Sequence, residues 1–153
     1  MQLLDSILRF LDEIGIAARE GEVPPGSFLP GVRIERGALV FDRAALRWPS
    51  DLLHEAGHIA VMPPELRAQL DDALDAETPP HAGEVEALAW AYAAAVHLGL
   101  ELTDLFHEGG YKGQSAGLIT TFSCGVYPGA AGLVQAGMTQ PAIYPRMSRW
   151  LRQ

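Results

Sequence analysis

Apolar residues recur at Leu3, Leu4, Ile7, Leu8, Leu11 and Ile14. This three-and-four spacing marks one face of a helix, so residues 2–14 are predicted to form an amphipathic helix that Gly15 ends. The stretch from Gly21 to Pro30 is rich in proline and glycine and reads as a loop. The period then changes. Val32 and Ile34 alternate with Arg33 and Glu35, Gly37 permits a turn or bulge, and Leu39-Val40-Phe41 is β-prone, which predicts a short hairpin or a bulged pair of strands. Pro49-Ser50-Asp51 opens a helix, with Ser50 suited to the N-cap and Asp51 to the positive end of the dipole. That helix runs to about Met62, where Pro63-Pro64 stops it. A further short helix is predicted over 65–74, with Leu66, Leu70 and Leu74 on one face, and residues 78–83 read as a loop. Residues 84–98 are strongly helical. Alanines at 87, 89, 91, 93, 94 and 95 raise the propensity, and the segment is apolar nearly all round, as a buried central helix should be. Short helices are expected over 102–107, 114–123, 129–137 and 145–152, the last turning Met147, Trp150 and Leu151 inward. The sum is one domain over residues 1–153, of α+β class, mostly helical with a small hairpin or sheet.

Composition narrows the setting. With 48% hydrophobic and 20% charged residues, the chain resembles an ordinary soluble globular protein. No apolar run reaches the roughly 20 residues of a membrane span. The first residues lack a basic segment and carry Asp5, so they do not read as a signal peptide. The single cysteine, Cys124, excludes an intramolecular disulfide and a cysteine-based zinc site. It is expected to be a small buried residue, and a reducing, cytoplasmic compartment is the default. The net charge of −8 argues against a nucleic-acid partner. Residues 109–153 hold Lys112, Arg146, Arg149 and Arg152 and no acidic residue. That basic stretch either docks on the acidic remainder or meets a partner.

The chemistry concentrates in His54-Glu55-Ala56-Gly57-His58. On a helix, His54 and His58 stack on one face, one turn apart, and two imidazoles so placed can reach one metal ion. Glu55 stands about 100° round from His54, at the rim of that face, where it can serve as general base for the water that a zinc hydrolase activates. A catalytic zinc usually takes a third protein ligand. The extended motif with a third histidine is excluded, because Val61 and Pro64 stand where its glycine and histidine would be. The remaining candidates are Glu84 and Glu86, at the start of the alanine-rich helix. Glu86, one turn before Trp90, is expected on the inward edge and is the favoured ligand. Glu84 reads as a residue that complements the helix dipole.

The hairpin, the His54–His58 motif and the later Glu84-Val85-Glu86-Ala87-Leu88-Ala89-Trp90-Ala91 together resemble the ImmA/IrrE-type zincin-like metallopeptidases over roughly residues 32–98. In that family's pattern H-E-x-G-H is paired with E-x-E-A-x-x-F-A, and Trp90 stands here where phenylalanine is usual. The resemblance implies a zincin-like fold with a small twisted sheet on the active-site helices, Zn²⁺ held by His54, His58 and Glu86, and a peptide or protein substrate. The DNA-binding or sensor domain that often accompanies the family is absent from this chain, and residues 99–153 match no pattern.

A hydrolase also needs an oxyanion donor. Tyr111, on the glycine-rich turn over residues 109–113, is the catalytic candidate. His107 is a second, with a surface or capping role as its alternative. That turn lacks the order of a phosphate loop and is either a connecting turn or a lid. His97 is expected to be a satisfied core histidine. Two functional readings stay open: a zinc-dependent peptidase or amide hydrolase, and a zincin-like binding or regulatory module whose metal is structural.

Overall fold

The computed structural model describes residues 2–26, 29–71 and 83–153. In chain order these form α1 (Gln2–Ile14), β1 (Ala18–Glu20), β2 (Val32–Glu35), β3 (Ala38–Phe41), α2 (Asp51–Val61), α3 (Pro64–Arg67), α4 (Glu84–Leu98), α5 (Leu102–Leu105), α6 (Ser115–Ser123) and α7 (Ala130–Gln135). A short 3-10 turn, Tyr111–Gly113, precedes α6. The class is α+β, with seven α-helices and one small mixed sheet among the described residues.

The sheet has β3 at its centre. β2 pairs with it antiparallel, Val32 opposite Phe41 and Glu35 opposite Ala38. Arg36 and Gly37 make the connection with φ of 50° and 76°, the paired left-handed geometry whose twist suits a two-residue hairpin. The expected hairpin is therefore present. β1 was not expected. It pairs parallel to β3, Ala18 opposite Leu39, over three residues, Ala-Arg-Glu, that carry no hydrophobic alternation.

α4 is the central helix. Ala87, Ala89, Trp90, Ala91, Ala93, Ala94 and Ala95 are fully buried on it. Around them lie Leu4, Ile7 and Leu11 of α1, Leu52, Leu53, Ala56 and Ile59 of α2, and Phe106, Phe122, Leu133 and Met138 from the later segments. The small side chains let α2 come close. A β-carbon added to Gly57 would stand 2.7 Å from the Ala87 carbonyl oxygen, so the two backbones cross there almost in contact.

Two expected helices differ. The helix predicted over 65–74 reduces to Pro64–Arg67, and its residues 72–74 lie outside the described ones, as do 78–82 of the expected loop and His81 with them. The Arg67 guanidinium instead donates to the carbonyls of Ile59 at 3.0 Å, Met62 at 3.0 Å and Arg152 at 2.7 Å, which caps the C-terminal end of α2 with a positive charge. Residues 145–152 form turns and bends rather than a helix, because their backbone groups are used elsewhere. Ser148 N–H donates to Met138 O, Arg152 N–H to Ala60 O, and Trp150 O accepts from Trp90 Nε1 at 2.9 Å. Trp150 does pack inward, edge-on to Phe10 and Trp90. His97 is exposed rather than buried, with its ring against Phe10 and Trp150, and Cys124 is exposed as well. No helix among the described residues is long and apolar enough to cross a membrane.

Candidate metal centre

The crossing at Gly57 and Ala87 sets the site. Residues three apart on a helix share a face, so the face of α4 that meets α2 at Ala87 also carries Glu84, one turn earlier. His54 and His58 sit on the matching face of α2, with ring centroids 5.1 Å apart and planes at 76°. Both Nε2 atoms turn towards the Glu84 carboxylate. His58 Nε2 lies 3.0 Å from Oε2 and His54 Nε2 lies 3.4 Å from Oε1. The three donor atoms lie within 4.8 Å of one another.

The third acid in this cluster is Glu84, which corrects the expectation for Glu86. Two helical residues on, Glu86 is turned by about 200° and faces α7. A β-carbon on Gly132 of α7 would stand 2.5 Å from Glu86 Cγ, and Glu86 Oε2 is buried without a hydrogen-bond partner. The helix is packed on both sides, and the two glutamates go to opposite ones.

The donor set fits a metal. Two imidazole nitrogens and a carboxylate oxygen are ligand types that zinc takes, and one such atom from each residue lies within 4.8 Å of the other two. Burial, with the neighbouring charge of His58, holds the His54 pKa down at about 4, so its imidazole is neutral and ligand-ready near pH 7. Burial pushes the Glu84 carboxyl up, but the hydrogen bond with His58 and the charges of His54, His58 and Lys112 outweigh it and leave the pKa below its ordinary value. Glu84 is thus a carboxylate.

Glu55 follows His54 on α2 and is 3% exposed. Its charge is among those that, after burial, hold the Tyr111 phenol well above its ordinary pKa. The Tyr111 ring stands edge-on to His54 at 5.7 Å, on a turn where Tyr111 and Lys112 both adopt left-handed φ, 61° and 52°. Its hydroxyl donates to Leu105 O at 3.1 Å. That uses its only proton, which corrects the expectation of a free oxyanion donor. The turn brings a ring, not a hydroxyl, to the site.

The helix start also differs from expectation. Ser50 makes no side-chain cap to α2; its hydroxyl donates to Asp104 O on α5. Asp51 is buried and bonded to His107, Oδ1 to Nε2 at 2.6 Å. The His107 ring stacks flat on Trp48, centroids 4.2 Å apart and planes at 6°. Burial raises the Asp51 pKa, while the hydrogen bond and charge of His107 pull it back. His107, expected at the surface or as a cap, is 6% exposed. The missed signal was positional: Asp51 precedes the first motif histidine by three residues, on the same face. Beside His107 opens a cavity of about 450 Å³ lined by Trp48, Phe106, Gly109, Ser115 and Ile119 among others. His107 and His54 both lie against the Tyr111 ring.

No family model, curated protein or solved structure matches this chain.

Proposed function

We propose that the chain is a zinc-dependent peptidase or amide hydrolase of zincin-like type, with His54, His58 and Glu84 holding Zn²⁺ and Glu55 as general base. The observation that carries this reading is the Glu84 carboxylate spanning the Nε2 atoms of His54 and His58 at 3.4 and 3.0 Å. The resemblance to the ImmA/IrrE pattern supports it over residues 54–58. The third ligand departs from that pattern, since Glu84 takes the place expected of Glu86, so the proposal rests on donor geometry first.

Bound zinc supplies Lewis acidity, lowering the pKa of a water and polarising a carbonyl. The residues do the rest. His54 and His58 offer ring nitrogens, and Glu84 adds one negative charge. Glu55 takes a proton from the attacking water as its oxygen bonds to the carbonyl carbon. It then gives that proton to the amine nitrogen as the C–N bond breaks.

The test is metal content together with turnover of a quenched fluorescent peptide library. The wild type is expected to carry about one zinc per chain and to cleave library members. Glu55→Gln is expected to retain the ion and lose cleavage. Protein that folds but binds no divalent metal overturns the proposal. Glu55→Gln equal to wild type, with metal removal melting the fold, assigns the ion a structural role instead.

A further inference from the structure

Three buried polar atoms near the metal centre have no hydrogen-bond partner: Asp51 Oδ2, His54 Nδ1 and His107 Nδ1. Two of them are complementary. An imidazole that gives Nε2 to a metal carries its proton on Nδ1, and that N–H almost always finds a carboxylate, carbonyl or water. His54 turns Nε2 to the Glu84 carboxylate, which leaves Nδ1 as the donor. Asp51 offers an unused carboxylate oxygen and is 1% exposed. The two residues lie three apart on α2, about 60° apart in rotation, and helical side chains lean back over the preceding turn. The His54 ring therefore leans over the turn that carries Asp51.

We propose that Asp51 is the positioning residue of the metal centre: the bond is not made in this structure, and once His54 gives Nε2 to the ion the Asp51 carboxylate accepts its Nδ1–H and so fixes the tautomer and angle of that ring. This rests on the metal-centre reading above. His107 holds the carboxylate from the other side, donating Nε2–H to Oδ1 at 2.6 Å, and is itself clamped flat on Trp48. Contacts thus run from Trp48 through His107 to Asp51, and the proposed bond would extend them to His54. No proton changes hands; Asp51 stays a carboxylate with two N–H donors, and two unsatisfied groups become one hydrogen bond. That bond also gives residue 107, far from the motif in sequence, a part in metal binding.

The test compares zinc affinity, by competition with a chromophoric chelator, and the visible spectrum of the Co²⁺-loaded protein. Asp51→Asn keeps the shape and one oxygen for His107 but turns an amide N–H₂ towards the His54 N–H. It is expected to bind zinc about 10–100-fold more weakly than wild type, with an unchanged far-ultraviolet circular dichroism spectrum and a shifted Co²⁺ band. His107→Gln, which leaves the carboxylate in place but loosens it, is expected to weaken zinc binding by a smaller factor. Should Asp51→Asn fail to fold, His107→Gln decides: affinity and Co²⁺ band equal to wild type overturn the proposal. Folded Asp51→Asn with wild-type affinity overturns it too and leaves the metal-centre reading standing. A wild-type protein that binds neither ion overturns both.

Discussion

Gly57 and Ala87 occupy a crossing that admits no side chain on the glycine: a β-carbon there would stand 2.7 Å from the Ala87 carbonyl oxygen. That oxygen belongs to backbone and cannot swing away. The same crossing holds Glu84 over the two histidines, so the spacing of the helices and the spacing of the donors are one dimension.

Gly57→Ala tests this relation. Alanine favours the helix by about 1 kcal/mol, but overpacking against a fixed backbone costs about 1–3 kcal/mol, and here the clash is with the central helix. A net loss of up to about 2 kcal/mol is expected, read as a lower Tm, together with weaker zinc binding as α4 is pushed off. A raised Tm would show that the crossing has slack.

Glu84 and Glu86 separate cleanly by substitution. Glu84→Gln removes the charge that spans the histidines and is expected to abolish zinc retention through gel filtration. Glu86→Gln alters only the contact with α7 and is expected to keep the ion. The reverse result would return the third ligand to Glu86.

Metal-free protein should lose stability as pH falls. The folded state holds His54 at about 4 against an ordinary 6.5, so between those values the unfolded chain binds the extra proton and stability rises with pH. The contribution is whole above pH 6.5 and is lost progressively down to about 4, on the order of 3 kcal/mol from this residue. Urea melts of chelator-treated protein at pH 7 and 5 read it, and His54→Gln should flatten the slope. An unchanged slope in that variant would place the pH sensitivity elsewhere.

Arg67 is expected to matter to the fold although it touches no donor. It donates to Ile59, Met62 and Arg152 carbonyls, and charge-assisted bonds of this kind are worth about 1.5–3 kcal/mol each, less in combination. Arg67→Ala should lower stability by about 2–3 kcal/mol, and Arg67→Lys should recover little, since a single ammonium cannot fork between carbonyls. Equal urea midpoints for the lysine variant and wild type would reduce the guanidinium to a point charge.

What the sequence disclosed divides by range. Helical periodicity found α1, α2 and α4, the alternation at Val32–Ile34 found the hairpin, and the motif placed His54 and His58 on one face. These are properties of neighbours along the chain. β1 was invisible, because Ala18-Arg19-Glu20 is a strand only through its parallel partner. Glu84 lost to Glu86 because the choice depends on which side of α4 faces α2, and an alanine helix apolar on every side does not say. Asp51 looked like a dipole residue and His107 like surface, because their bond spans 56 positions. The 145–152 helix failed for a related reason: distant carbonyls claimed its amides.

The Arg67 clamp has a consequence for synthesis. It joins the end of α2 to the carbonyl of Arg152, and the Arg152 amide to Ala60. A ribosome makes His54 and His58 long before it makes those partners. At about 5–20 residues per second, the motif helix therefore waits several seconds for its cap. During that interval the Arg67 guanidinium has the Ile59 and Met62 carbonyls to hold but not that of Arg152, so the end of α2 is closed only once Arg152 has been made.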